Sequence, residues 1–137
     1  MFAIEATWQA GKAPALDGFY RVKGESRRVE YDGPDLSRFR LGTPLAADAL
    51  DKCHDMEIYV SECVELPGGK GYVCCGSGPL GGDGFFARLN PDGMLKWIVA
   101  MVDSNPIDTV DLAGMTATFV NEHCNSLVID FDNPDFA

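Results

Sequence analysis

The chain predicts a mainly β, antiparallel fold, and three observations carry that prediction. From Gly84 onward short apolar runs alternate with Asp-Gly, Asn-Pro and Gly turns, the pattern of strands rather than helices. Only one stretch carries a helix-start signal. The 137 residues suit one globular domain spanning residues 1–137.

Taken in order, Phe2 to Gln9 reads as a first strand and Ala10 to Pro14 as a loop. Asp17-Gly18 opens a run from Phe19 to Lys23, Gly24-Glu25-Ser26 turns, and Arg27 to Tyr31 returns. This is a hairpin with a basic tip at Lys23, Arg27 and Arg28. Asp32-Gly33-Pro34 ends it, and Asp35 to Leu41 reads as a helical turn or loop. Thr43-Pro44 then offers an N-cap followed by proline at the first helical position. One short helix near 44–53 follows, with Leu45, Ala49 and Cys53 on one stripe.

Met56 to Leu66 alternates as a strand with one wet face would, with Met56, Ile58 and Val60 on one side and Glu57, Tyr59, Ser61 and Cys63 on the other. Eight of the fifteen glycines fall between Pro67 and Gly84, on either side of a short strand at Tyr72 to Cys75. Phe85–Leu89, Met94–Val102, Ile107–Leu112, Met115–Val120 and Leu127–Phe131 complete the series. A twisted or partly rolled sheet is expected, and a propeller-blade-like C-terminal half is one arrangement these strands allow. A single blade is unstable alone, so residues 2–31 and 56–75 would have to cover it.

The net charge is −10, but it is unevenly placed. Residues 1–40 hold seven Lys/Arg against six Asp/Glu, and residues 41–137 hold four against fifteen. Such a chain makes a poor direct partner for nucleic acid, which wants cations to displace counterions. A basic protein partner suits it better, because opposite fields speed encounter. Plain solubility is the other reading of the same charge.

The mean hydropathy is −0.05, and no apolar run approaches the roughly 18 residues a membrane span needs. The N-terminal segment has no basic region and carries Glu5, unlike a secretory signal, so a cytoplasmic location is expected. Five cysteines, an odd number that includes the neighbours Cys74 and Cys75, suit reduced, buried thiols better than a disulfide framework.

Motifs for chemistry fail on context. Gly76-Ser77-Gly78-Pro79-Leu80-Gly81 satisfies G-x-G-x-x-G, but a strand follows it where a dinucleotide site needs a helix N-terminus. Gly82-Asp83 stand where a phosphate loop needs Lys-Ser/Thr. Cys53-His54 and His123-Cys124 lack zinc-ligand spacing. Ser77 or Cys75 would need His54 or His123 as a base, and sequence alone cannot supply that geometry. The reading is therefore a binding protein, without catalysis and without cofactor or metal.

The candidate binding residues are carboxylates with aromatic anchors: Asp48, Asp51, Asp55, Glu57, Tyr59, Tyr72, Asp103, Asp108 and Asp111. Glu62 and Glu65 form a further acidic pair. Trp8 and Trp97 are other aromatic candidates, with Trp97 better placed in a core. A solvated acidic face with ordinary turn chemistry is the alternative for the whole set.

One resemblance bears on this. The run Gly-Gly-Asp-Gly-Phe-Phe-Ala-Arg-Leu-Asn-Pro-Asp-Gly-Met-Leu-Lys-Trp (81–97) precedes Asp103-Ser104-Asn105-Pro106-Ile107. Leu127-Val128-Ile129-Asp130-Phe131 and Asn133-Pro134 close the segment. Residues 81–136 thus resemble small immunity proteins of bacterial contact-dependent inhibition and related polymorphic toxin systems. The resemblance implies a cytosolic antitoxin that binds and occludes a cognate toxin's C-terminal domain, as a monomer in a 1:1 complex. It carries no catalytic residue over to this chain. A non-catalytic interaction or sensor domain of other bacterial machinery, or a small-ligand-binding β protein, remains open beside it.

Overall fold

The structure is a computed structural model that describes residues 3–46 and 48–137, apart from the side chain of Asp51. It is mainly β, and all its strand pairs are antiparallel. Seven strands make the central sheet. In chain order these are β2 (Gly18–Arg21), β3 (Arg27–Glu30), β4 (Arg40–Pro44), β6 (Tyr59–Glu65), β7 (Tyr72–Ser77), β8 (Gly84–Leu89) and β9 (Leu95–Met101). They lie side by side as β4-β3-β2-β9-β8-β7-β6. A second sheet is the meander β10 (Ile107–Ala113), β11 (Thr116–Asn121) and β12 (Ser126–Asp130), and a small ladder pairs β1 (Lys12–Pro14) with β5 (Asp55–Glu57).

Strands β8 and β9 are apolar on both faces because both faces are covered. Phe85 and Phe86 are neighbours in sequence and so point to opposite sides. Phe86, with Phe19, Trp97, Val99 and Met101, packs under the meander residues Val110, Phe119, Ile129 and Phe131. Its ring stacks on Phe119 at 4.4 Å. Phe85, with Tyr20, Ala87, Ile98 and Ala100, packs on the other face under Ile4, Ala13 and Met56.

The meander joins the large sheet through side chains. In β6 the register slips between Val60 and Glu62, leaving Ser61 as an extra residue. This bulge lets adjacent residues reach the same neighbour. The Ser61 hydroxyl donates to the Ile107 carbonyl at 2.8 Å, and the Val110 N–H donates to Glu62 Oε1 at 3.1 Å. The assembly is thus partly rolled over its β6–β7 edge without closing into a barrel.

The segment 3–9 is a helix, α1 (Ala3–Gln9), and not the expected strand. Ile4 and Trp8, four apart, turn one stripe inward; Ile4 is buried and Trp8 meets Phe85 edge-on at 6.0 Å. The expected helix near 44–53 is also revised. Thr43-Pro44 ends the edge strand β4, where a missing N–H costs little, and the helix α2 is only Ala49–Lys52. The run 56–66 breaks at Ile58 into β5 and β6, and Val60 faces solvent. The C-terminal half divides between two sheets, so it is not one propeller blade. Of the thiols expected to be buried, Cys74 and Cys75 are, whereas Cys63 and Cys124 are exposed and Cys53 is half-buried.

Gly76, first glycine of the G-x-G-x-x-G match, sits inside β7. A Cβ there would collide with the Tyr59 carbonyl and the Phe85 ring, so strand packing accounts for it.

Candidate functional site

Four of the five large apolar residues exposed among those described gather at one end of the central sheet, in the company of carboxylates. Tyr59 and Val60 open β6, Leu80 lies in the loop joining β7 to β8, and Val102 follows β9. The fifth, Val128, lies on β12. Tyr59 pairs with Ser77, Ser77 with Gly84, and Gly84 with Met101, which places these chain positions in one row across four strands. At about 4.8 Å per strand the row is roughly 15 Å wide, the scale of an interface anchor cluster.

Local structure holds this rim in shape. The loop Gly78–Asp83 folds on its own aspartate: Asp83 is buried, and its Oδ2 accepts the Leu80 N–H at 3.3 Å. With the backbone turned inward, the Leu80 side chain is left 86% exposed. Asp17 does similar work at the other side. Its Oδ1 accepts both the Val102 N–H at 2.8 Å and the Tyr31 hydroxyl at 2.7 Å, while the Tyr31 oxygen accepts the Asp103 N–H at 3.0 Å. Burial, then the bond to Asp17, holds the Tyr31 phenol well above the ordinary tyrosine range.

Beneath the rim Asn121 is 2% exposed and uses every polar atom it has. Its amide donates to the carbonyls of Pro34 (2.7 Å) and Ser104 (2.9 Å), and its oxygen accepts from the N–H groups of His123 and Asn125, both at 3.0 Å. Through it the 33–35 turn, the segment after β9 and the β11–β12 turn are fixed together.

The residues singled out from sequence divide. Glu57 and Tyr59 come together at the rim, the Tyr59 hydroxyl donating to Glu57 Oε2 at 3.1 Å, which raises the phenol's pKa. Asp103 belongs to the same end, and Asp108 sits where β10 leaves it. Tyr72 lies at the opposite end of β7, across from Glu65 and Leu89. Asp111 is farther along β10 beside Thr118. Asp55 points outward from the β1–β5 ladder, and Asp48 is ion-paired with Lys52 at 2.7 Å on α2. Asp51 lies outside the described side chains. Trp97 is fully buried.

Sequence reasoning missed Val60, Leu80, Val102 and the supports Asp17 and Asn121. The one readable signal was Leu80, a large apolar residue isolated among glycines and a proline, where no strand could bury it.

The far end of the sheet is different. A cleft of about 440 Å³ is lined by Arg21, Lys23 and Lys96, with Glu5, Asp92 and Met94 around them. None of the three cations is in an ion pair among the described residues. Burial, then the charges of Arg88 and Arg21, lowers the Lys96 pKa. Among the described residues no three His, Cys, Asp or Glu side chains are grouped to hold a metal, and no helix is long and apolar enough to cross a membrane. Compared with family models, curated proteins and solved structures, the chain matches none.

Proposed function

We propose that this chain is an immunity protein that binds and neutralises a cognate toxin domain, a basic nuclease, through the acidic and apolar rim. The observation that carries the reading is the gathering of Tyr59, Val60, Leu80 and Val102 at one end of the central sheet, around the row Tyr59–Ser77–Gly84–Met101 and among Glu57, Asp103 and Asp108. Exposed apolar residues clustered with charge at their margin have the composition of a docking surface, with a core that excludes water and a polar border. The charge asymmetry and the resemblance of residues 81–136 agree with it.

In this reading the carboxylates stand where nucleic-acid phosphates would lie and occupy a cationic cleft. The apolar anchors govern the off-rate and the acids the on-rate. The complex is 1:1, cytoplasmic and without cofactor. Co-expression with the toxin-like domain encoded beside it tests the idea. Growth rescue and a complex whose association slows as salt rises are expected, with both lost in Leu80→Asp/Asp103→Lys. A pair that neither rescues nor co-purifies would sink this reading.

The cleft, where Arg21, Lys23 and Lys96 stand outside any ion pair among the described residues, favours a second reading, a binding site for a small anionic ligand. It predicts that inorganic phosphate or a nucleotide raises the melting temperature, and that Lys96→Met abolishes the rise.

A further inference from the structure

Two of the five cysteines face each other. Cys63 on β6 lies directly opposite Cys74 on β7. Their sulfurs are 2.8 Å apart, with the Cys74 thiol donating to Cys63. This is closer than two unbonded sulfurs normally come. Residues directly opposite in an antiparallel pair hold their Cβ atoms about 4.5–5.5 Å apart, and a disulfide wants about 3.5–4.5 Å, so a small adjustment joins them. The remaining cysteines are placed elsewhere. Cys75 faces the other side of the sheet with its sulfur 3.8 Å from the Ser61 hydroxyl, Cys53 ends α2, and Cys124 is in the β11–β12 turn. The pair is also asymmetric, since Cys63 is exposed and Cys74 is 3% exposed.

We propose that Cys63 and Cys74 form a reversible oxidation site, closing to a cross-strand disulfide when the protein meets a peroxide. The exposed Cys63 sulfur attacks one peroxide oxygen; the O–O bond breaks, giving a sulfenic acid on Cys63 and one water. The Cys74 sulfur then attacks the Cys63 sulfur, and the S–O bond breaks. The departing hydroxide takes the Cys74 proton and leaves as a second water. Two thiols have given up two electrons and two protons, and the peroxide has been reduced to two waters. The order follows from the environment: burial raises the Cys74 thiol above its ordinary range, leaving it slow toward peroxide in bulk but already in place for the second step. Cys75 is pushed up to about 11, mainly by burial, and is kept out of the exchange by its position. The bond would fasten the edge strand β6, which carries Tyr59 and Val60, to β7.

The full chain, folded and reduced, is treated with hydrogen peroxide, alkylated, and digested after glutamate, lysine and arginine. Those cuts separate Cys63 from Cys53 and leave Cys63 and Cys74 on different peptides. The expected result is an intact monomer lighter by two hydrogens, titratable thiols falling from five to three, and a linked pair of peptides 63–65 and 71–88. Thiol reductant restores all five. Cys75→Ser keeps the link, whereas Cys74→Ser loses it; Cys63→Ser, at an exposed position, loses it without disturbing a buried one. Accumulation of sulfinic acid at Cys63 with no linked peptide would overturn the proposal, as would a link that survives Cys74→Ser.

Discussion

The two ends of the central sheet differ in charge and in what they leave exposed. At the rim, apolar side chains stand out of a turn network tied together by Asp17, Tyr31 and Asn121, with carboxylates around them. At the cleft, Arg21, Lys23 and Lys96 share the lining with Glu5 and Asp92, and burial, then the charges of Arg88 and Arg21, lowers the Lys96 pKa. A chain of net charge −10 thus gathers three of its eleven Lys/Arg, beside Glu5 and Asp92, in a hollow at one end and presents an acidic, apolar edge at the other. Total charge says little about a partner until the fold has distributed it.

The rim should be the more fragile end. Asn121→Ala deletes four hydrogen bonds at a buried node and should cost about 2–4 kcal/mol, because its former partners are left underpaired. Urea unfolding monitored through the tryptophans measures it. A loss under about 1 kcal/mol would mean that water replaces the amide and that the rim is not tied together there.

Alkali should separate the two ends by sign. The Tyr31 proton is held more tightly in the fold than in the unfolded chain, so its contribution is complete below pH ~10 and is lost above it, by up to about 1.4 kcal/mol per pH unit. Tyr31→Phe should flatten that decline. Lys96 behaves oppositely: its folded pKa is lowered, so its charge destabilises at neutral pH and the penalty fades as the pH climbs toward ~10.4. Lys96→Met should therefore stabilise at pH 7 by at most about 1 kcal/mol after solvent screening, with the gain vanishing near pH 10. Denaturant midpoints of both variants from pH 7 to 11 provide the check.

The smallest effect belongs to the residue given the largest role in binding. Leu80→Ser should change stability by no more than about 0.5 kcal/mol, because the side chain is 86% exposed. A larger change would mean that Leu80 supports the loop instead of being offered to a partner.

Strands β8 to β12 were legible because each is a short apolar run closed by a turn. The helix at Ala3–Gln9 was hidden because its two inward residues, Ile4 and Trp8, make too brief a stripe to tell period 3.6 from partial alternation. Thr43-Pro44 misled because proline suits both the first turn of a helix and an edge strand, and only β3 pairing alongside decides between them. Among the site residues, Glu57, Tyr59 and Asp103 were reachable from composition and turns. Their assembly with Leu80 and Val102 depends on strand order: β7 and β8 lie between β6 and β9, and no local pattern states that order.

Arg88 and Trp97, in the middle of the sheet, both donate to one acceptor, the carbonyl of Phe136, which lies 48 and 39 residues downstream. Burial lowers the Arg88 pKa, and among the described residues its Nε has no hydrogen-bond partner. The acceptor therefore comes from a segment that must fold back across the whole meander before it reaches either donor. The apolar centre of the sheet is packed by its own strands and the meander, but two of its polar groups are paired only when the segment around Phe136 is docked. A chain cut after β12 would keep its strand ladders but bury the Arg88 guanidinium and the Trp97 indole N–H without the carbonyl that accepts from both.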